Sequence, residues 1–296
     1  MTDLSERGLT RRALMQGLAV AGTSGALSAP AVAQSTAAPL KGNIRHSVAH
    51  WTYGFLSLDA LCALCRDIGI GAVDLCGPDD WPILKAHGLD SSMCNGAELG
   101  LEDGWAESAN HDALIGRYLR HINLVADAGY RNLILFSGNR RGMDPEAGLA
   151  ACETGLKRII GAAEARGVVL HMELLNSRVN HPDYLCDTTA WGVALCQRLG
   201  SENFKLLYDI YHMQIMEGDV IRRITEHHDC FGHYHTAGNP GRHEPDDSQE
   251  LNYPAICRAI RDTGFDGWIA QEFVPSDKTP AAAAEALRAA VATCDV

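Results

Sequence analysis

The sequence predicts a single (β/α)8 (TIM) barrel preceded by an N-terminal export signal. Three observations predict it. Short apolar runs of β character alternate with helical patterns through eight βα units, no internal linker interrupts them, and the last four strand-like runs end on ionisable residues. An open doubly wound sheet is the competing architecture.

The chain has 296 residues. Thr10-Arg11-Arg12-Ala13-Leu14-Met15 is a twin-arginine pattern, followed by a weakly apolar run and the A-x-A cleavage site Ala31-Val32-Ala33. Residues 1–33 are therefore read as a twin-arginine signal peptide and the mature protein as periplasmic. Residues 34–42 are a small, polar linker and 43–296 the barrel domain, close to the roughly 250 residues typical of that fold. The signal's apolar run is too glycine-rich to be a stable membrane span.

The first strand is expected over 44–49, then a helix over 58–68 with Ser57 as its cap. The second strand spans 72–75, with a helix opened by Pro78 and ending near Gly88. A weak third strand covers 92–95, and a long loop over 96–110 carries Glu98, Glu102 and Trp105. A helix over 111–128 and a strand over 132–136 follow. Pro145 opens a helix running to about Arg166, and 168–173 is the fifth strand. A second long loop, 176–187, leads into a helix over 188–199. The sixth strand is 204–209, with an amphipathic helix near 220–228. The seventh strand is 230–235, followed by a third polar loop over 236–252. A helix over 253–263, a strand over 268–273 and an Ala-rich helix from Pro280 close the chain.

The formal charge of -12 disfavours nucleic acid and anionic membranes as partners and leaves a small molecule open. A homo-oligomer is compatible with this composition. The ten cysteines are scattered, and Cys62-x-x-Cys65 falls at core positions of a helical pattern, so it fills volume rather than binding zinc.

Chemistry concentrates at the strand ends. The fifth strand ends in Glu173, the sixth in Asp209, the seventh in His235 and the eighth in Glu272. In a barrel these ends ring one mouth, where such enzymes work. Asp209 alone reads first as a helix N-cap or a core ion pair rather than a ligand. Together, three carboxylates and one imidazole repel without a cation. Three oxygens and one nitrogen suit one divalent ion, Mg2+ or Mn2+ first, then Co2+ or Zn2+.

Tyr208-Asp209-Ile210-Tyr211-His212-Met213-Gln214, Glu173-Leu174-Leu175-Asn176, Gly238-Asn239-Pro240-Gly241-Arg242-His243-Glu244 and Gly267-Trp268-Ile269-Ala270-Gln271-Glu272-Phe273 resemble the hydroxypyruvate isomerase family, over about residues 44–296. That family belongs to the xylose isomerase-like barrels, with sugar epimerases and endonuclease IV. The resemblance implies a divalent metal held by Glu173, Asp209, His235 and Glu272, with Glu173 and Glu272 as the proton donor and acceptor. Two departures stand out. The family's isomerases usually place Gln where this chain has His235, the residue that related ketose 3-epimerases use. The usual Glu-Pro-Ile-Asn is here Glu173-Leu174-Leu175-Asn176. Those epimerases also carry a Glu six residues after the first ligand, where this chain has Val179.

The expected activity is a metal-dependent isomerisation of a small hydroxy-keto acid or sugar, aldose to ketose, through a metal-bound enediolate. One carboxylate removes the proton and the other returns it. Alternatives are a ketose 3-epimerase on the same barrel and a non-catalytic exported sugar-binding protein. A phosphodiesterase would want several metals and a basic groove, which this acidic chain lacks. His212 is expected to hydrogen-bond the substrate, and Arg242 to clamp its carboxylate. Trp105 and Glu98 are candidates for a pocket wall, and His50 faces either the site or the core. Lys205, His171 and His233 are expected one layer deeper, as interior support.

Overall fold

The computed structural model describes residues 39–296; the expected signal peptide, 1–33, lies outside them. Eight strands, β1 (Arg45–Ala49), β2 (Ala72–Cys76), β3 (Asp90–Cys94), β4 (Asn132–Leu135), β5 (Val169–Glu173), β6 (Phe204–Asp209), β7 (Phe231–Thr236) and β8 (Trp268–Gln271), pair in parallel and in chain order. Strand β8 returns to β1, with Arg45 opposite Trp268 and Val48 opposite Gln271, so the sheet closes and the open-sheet alternative is excluded.

Among the described residues ten α-helices surround the barrel: α1 (Leu58–Ile68), α2 (Trp81–Ala86), α3 (His111–Ala128), α4 (Pro145–Leu156), α5 (Ile160–Arg166), α6 (Thr189–Leu199), α7 (Ile210–Met216), α8 (Val220–His227), α9 (Tyr253–Asp262) and α10 (Pro280–Cys294). Their apolar faces meet the outward side chains of the strands, and this shell is the main core. Helix α1 begins as its sequence requires: Ser57 Oγ accepts from Ala60 N–H at 3.2 Å. It stops on Gly69, in the left-handed conformation glycine adopts without strain.

Three features differ from the sequence reading. The helix expected over 145–166 is two, because i→i+3 bonds from Arg158 and Ile159 tighten the chain between α4 and α5. Helix α7 follows β6 at once, before the helix expected near 220. Trp105, a candidate pocket wall, is fully buried against Tyr118 and His111, behind the mouth rather than lining it. Within the stretch read as a linker, Leu40 packs on the core and Lys41 N–H donates to Asp295 Oδ2 at 2.8 Å.

All ten cysteines lie among the described residues and none is bridged; Cys62 and Cys65 are buried in the core. No helix among the described residues is long and apolar enough to cross a membrane.

Candidate metal and proton-transfer centre

Parallel pairing in register sets the ends of β5 to β8 side by side. Asp209 sits opposite His235, and His235 opposite Ala270, two residues before Glu272. As a result Glu173, Asp209, His235 and Glu272 each offer one ligand atom within 4.8 Å of every other, and all four are buried. His235 Nδ1 lies 2.9 Å from Glu272 Oε2 and 3.4 Å from Glu173 Oε1. The donors are three carboxylates and one imidazole nitrogen, a set that fits a hard or borderline divalent cation.

Asp209 is both cap and cluster member. Its Oδ1 accepts from the His212 backbone N–H at 3.0 Å and so caps α7. Its Oδ2 points the other way, 3.9 Å from His235 Nδ1 and 3.8 Å from Arg242 Nη2.

The three carboxylates do not share one electrostatic state. Burial, and then the charge of Glu272, push the Asp209 carboxyl up to about 8. Burial and Glu272 also raise Glu173, although a hydrogen bond from His235 opposes them. For Glu272 burial acts upward too, yet His235 and Arg242 hold it well below the usual carboxylate range. Burial would lower His235, but Glu272 and Asp74 keep its imidazolium form far above the ordinary value. Buried carboxylates this close cannot all ionise without added positive charge, which is the local reason the donor set fits a cation.

Arg242 and His212 close over the cluster. Backbone hydrogen bonds hold the loop after β7: Arg242 N–H donates to Gly238 O at 2.9 Å, and Val274 N–H donates to Arg242 O at 2.7 Å. The Arg242 guanidinium packs over Trp51 and Tyr211, 5.1 and 5.4 Å from their ring centroids, and Nη2 donates to Glu272 Oε2 at 2.6 Å. His212 is fully buried; its Nδ1 lies 2.5 Å from Asn176 Nδ2, and its Nε2 lies 3.6 Å from Asp209 Oδ2. Burial and the Arg242 charge hold His212 neutral, well below its ordinary value. Arg242 Nε and His212 Nε2 are both buried without a hydrogen-bond partner in the protein.

Several residues of this mouth escaped the sequence reading. Trp51, in the turn after β1, donates from Nε1 to Glu272 Oε1 at 2.8 Å. The His181 ring lies tilted against His212, centroids 5.3 Å apart, and Asn180 accepts from Tyr211 Oη at 3.0 Å. Asp74, in β2, lies 3.0 Å from His235 Nε2. A lone carboxylate inside an apolar strand was the available signal for Asp74, because such a group is buried only with partners. Of the expected interior supports, His233 and His171 are buried in the barrel. Lys205 instead reaches Glu202 and Asp229 O, both at 2.7 Å, at the opposite end. Glu98 accepts from Gly96 N–H within its own loop.

Residues 62–292 match the family model described as xylose isomerase-like TIM barrel. The 2-oxo-tetronate isomerase of Cupriavidus necator is 33% identical over 67% of this chain and 77% of its own length. The hydroxypyruvate isomerase of Escherichia coli is 36% identical over 36% of this chain and 43% of its own length. Among solved structures, a protein described as AP endonuclease, family 2, from Brucella melitensis superposes with a TM-score of 0.74 at 25% identity, covering 81% of this chain and 96% of that one. D-psicose 3-epimerase from Clostridium cellulolyticum, at 15% identity and a TM-score of 0.72, covers 85% and 98% and shares the fold. Kinship to curated isomerases makes this chain an isomerase-type enzyme. By its matched span and its closed barrel, the chain belongs to the xylose isomerase-like TIM barrel family.

Proposed function

We propose that the protein isomerises a small 2-hydroxy-carbonyl acid, exchanging aldehyde and ketone through an enediolate, with one divalent ion held by Glu173, Asp209, His235 and Glu272. The observation that carries this reading is the buried convergence of those four donors beneath Arg242 and His212. An ion bound there would supply positive charge that stabilises the negative charge developing on the substrate.

The chain's own residues do the rest. Glu173 makes the fewest polar contacts of the three carboxylates, and burial raises its carboxyl, which suits a group that takes and gives a proton. Glu272, held ionised by Arg242 and His235 and bonded by Trp51, faces it as the second proton-transfer group. Asp209 serves as ligand and cap. Neutral His212, whose Nδ1 accepts from Asn176 Nδ2, carries its proton on Nε2 and can donate it to a substrate oxygen. Arg242 keeps free N–H groups for a substrate carboxylate, while Trp51 and Tyr211 hold its plane.

The Cupriavidus necator relative, named for a 2-oxo-tetronate, supports an acid substrate. An epimerase at this site remains the competing chemistry. His235 favours it, and the exposed Val179, at the position of the further glutamate, disfavours it. We also propose that the protein works in the periplasm after twin-arginine export.

The test is carbon-bound deuterium uptake in D2O with Mn2+ and a panel of 2-keto and 2-hydroxy acids. Exchange at the carbon next to the carbonyl is expected, with loss in Glu173→Gln and Glu272→Gln. No exchange across the panel, or full exchange in either variant, would overturn the proposal. An epimerase would return a stereoisomer with the carbonyl position unchanged.

A further inference from the structure

Asp74 stands outside the four-residue cluster yet touches one of its members. It is fully buried, with Oδ1 3.0 Å from His235 Nε2 and Oδ2 2.8 Å from His233 Nε2. Ser92 Oγ donates to Oδ2 at 2.7 Å. His235 thus lies between two sets of oxygens: Asp74 on Nε2, and Glu173, Asp209 and Glu272 on Nδ1.

Strand β2 departs from regular geometry to put Asp74 there. Its register against β3 shifts between Val73 and Asp74, and again between Asp74 and Cys76. Leu75, between the two, adopts φ +59°, a left-handed conformation that a leucine rarely takes. Bulges of this kind at barrel rims re-aim a side chain. Here the re-aimed residue is the carboxylate that reaches His235.

We propose that Asp74 is a positioning residue for the metal centre. It accepts a hydrogen bond from His235 Nε2–H, so that Nδ1, facing Glu173, Asp209 and Glu272, is the nitrogen that gives up its proton when an ion is bound. His233 and Ser92 fix the second oxygen of the carboxylate. The inference rests on the reading that the four-residue cluster holds a divalent ion. Its logic is that an imidazole ligates through the nitrogen that carries no proton, and the partner of the other nitrogen decides which one that is. Asparagine at position 74 could present N–H to Nε2, which would move the proton to Nδ1, the wrong nitrogen for a ligand. The three residues Asp74, His233 and His235 could themselves be taken for a second metal group. Both oxygens of Asp74, however, already face an imidazole or a hydroxyl.

The experiment is a double-mutant cycle on Mn2+ affinity, read by chelator competition, with Asp74→Asn and His235→Gln singly and together. Asp74→Asn should weaken Mn2+ roughly 10- to 100-fold when His235 is present. It should cost little when Gln occupies position 235, because an amide oxygen has no tautomer to control. A purely structural role would cost the same in both backgrounds, and that result, or an unchanged affinity, would overturn the proposal. So would two Mn2+ ions per chain with one lost in Asp74→Asn.

A second readout needs neither metal nor variant. In 15N-labelled wild-type protein, His235 Nε2 should carry a proton shifted downfield by its carboxylate partner. An unprotonated Nε2 refutes the contact. If wild type binds no Mn2+ while this proton is seen, the metal reading fails and the Asp74–His235 contact stands. Should Asp74→Asn not fold, Ser92→Ala, which removes one bond to Oδ2, is expected to weaken Mn2+ binding by a smaller factor; no change there counts against the proposal.

Discussion

Asp209 divides its two oxygens between two tasks, and a conservative substitution can separate them. Asparagine caps a helix about as well as aspartate, so Asp209→Asn should keep α7 and remove one ionisable carboxyl from the cluster. In protein stripped of metal, the wild-type carboxyl is raised to about 8 from its ordinary value near 3.8. The folded state then holds a proton that the unfolded state has released, so this group costs stability as pH rises from about 4 through 8. Melting temperatures of metal-stripped protein between pH 5 and 9 should fall for wild type relative to Asp209→Asn. With Mn2+ present the order should reverse, since the variant has lost a ligand. Parallel pH profiles would contradict this account. Arg242 is testable at the same scale. Lys keeps its charge but not its planar fork or its stacking between Trp51 and Tyr211. Charged hydrogen bonds are worth about 1.5–3 kcal/mol, so Arg242→Lys should raise KM for a carboxylate-bearing substrate by roughly tenfold or more. An unchanged KM would remove Arg242 from the substrate site.

The elements show which parts of the molecule were legible. Helices α1 and α3 and strand β6 have the bounds read from sequence, because periodic apolar residues and terminal glycine or capping side chains mark them. Strand ends carrying Glu173, Asp209, His235 and Glu272 were legible for the same reason: each ionisable residue ends an apolar run. Helix α7 was not, since Ile210, Tyr211, His212 and Met213 are all buried and leave no amphipathic stripe. The bulge in β2 was equally hidden, as nothing in Val73-Asp74-Leu75-Cys76 announces a left-handed leucine. Trp51 was missed because a turn tryptophan has no periodic signature. Loop docking is also invisible in one dimension. The β3–α3 loop is held to the end of β4 by Trp105 N–H to Phe136 O at 3.2 Å and Ala106 N–H to Ser137 O at 2.8 Å. A Cβ on Gly104 would overlap Gly138 N and the Phe136 carbonyl oxygen, both backbone atoms that cannot turn away. Gly104→Ala should therefore cost about 3 kcal/mol or more of stability, seen as a lower urea midpoint. Gly116→Ala, with open space around the added methyl, is the control expected to cost nothing.

At the scale of the whole molecule, the barrel closes through its two ends. Strand β1 pairs with β8, Lys41 N–H and Nζ donate to Asp295 Oδ2 and Asp295 O at 2.8 Å each, and Asn43 Nδ2 donates to Val296 O at 2.9 Å. The four candidate ligands come from β5 to β8, and the cluster is complete only once the last strand is in place, because Glu272 follows it. The export proposed above, by a route that carries folded proteins, fits that requirement. Two outcomes are expected from it. The mature protein in a periplasmic fraction should begin near Gln34, and Arg11→Lys with Arg12→Lys should leave it in the cytoplasm. A chain starting at Gln34 should match the full chain in melting temperature and Mn2+ affinity, whereas one starting at Ile44 loses the ties to Asp295 and Val296 and should melt lower. An intact Met1 in the periplasm would refute the cleavage site, and equal melting of the two truncations would refute the structural role of residues 40–43.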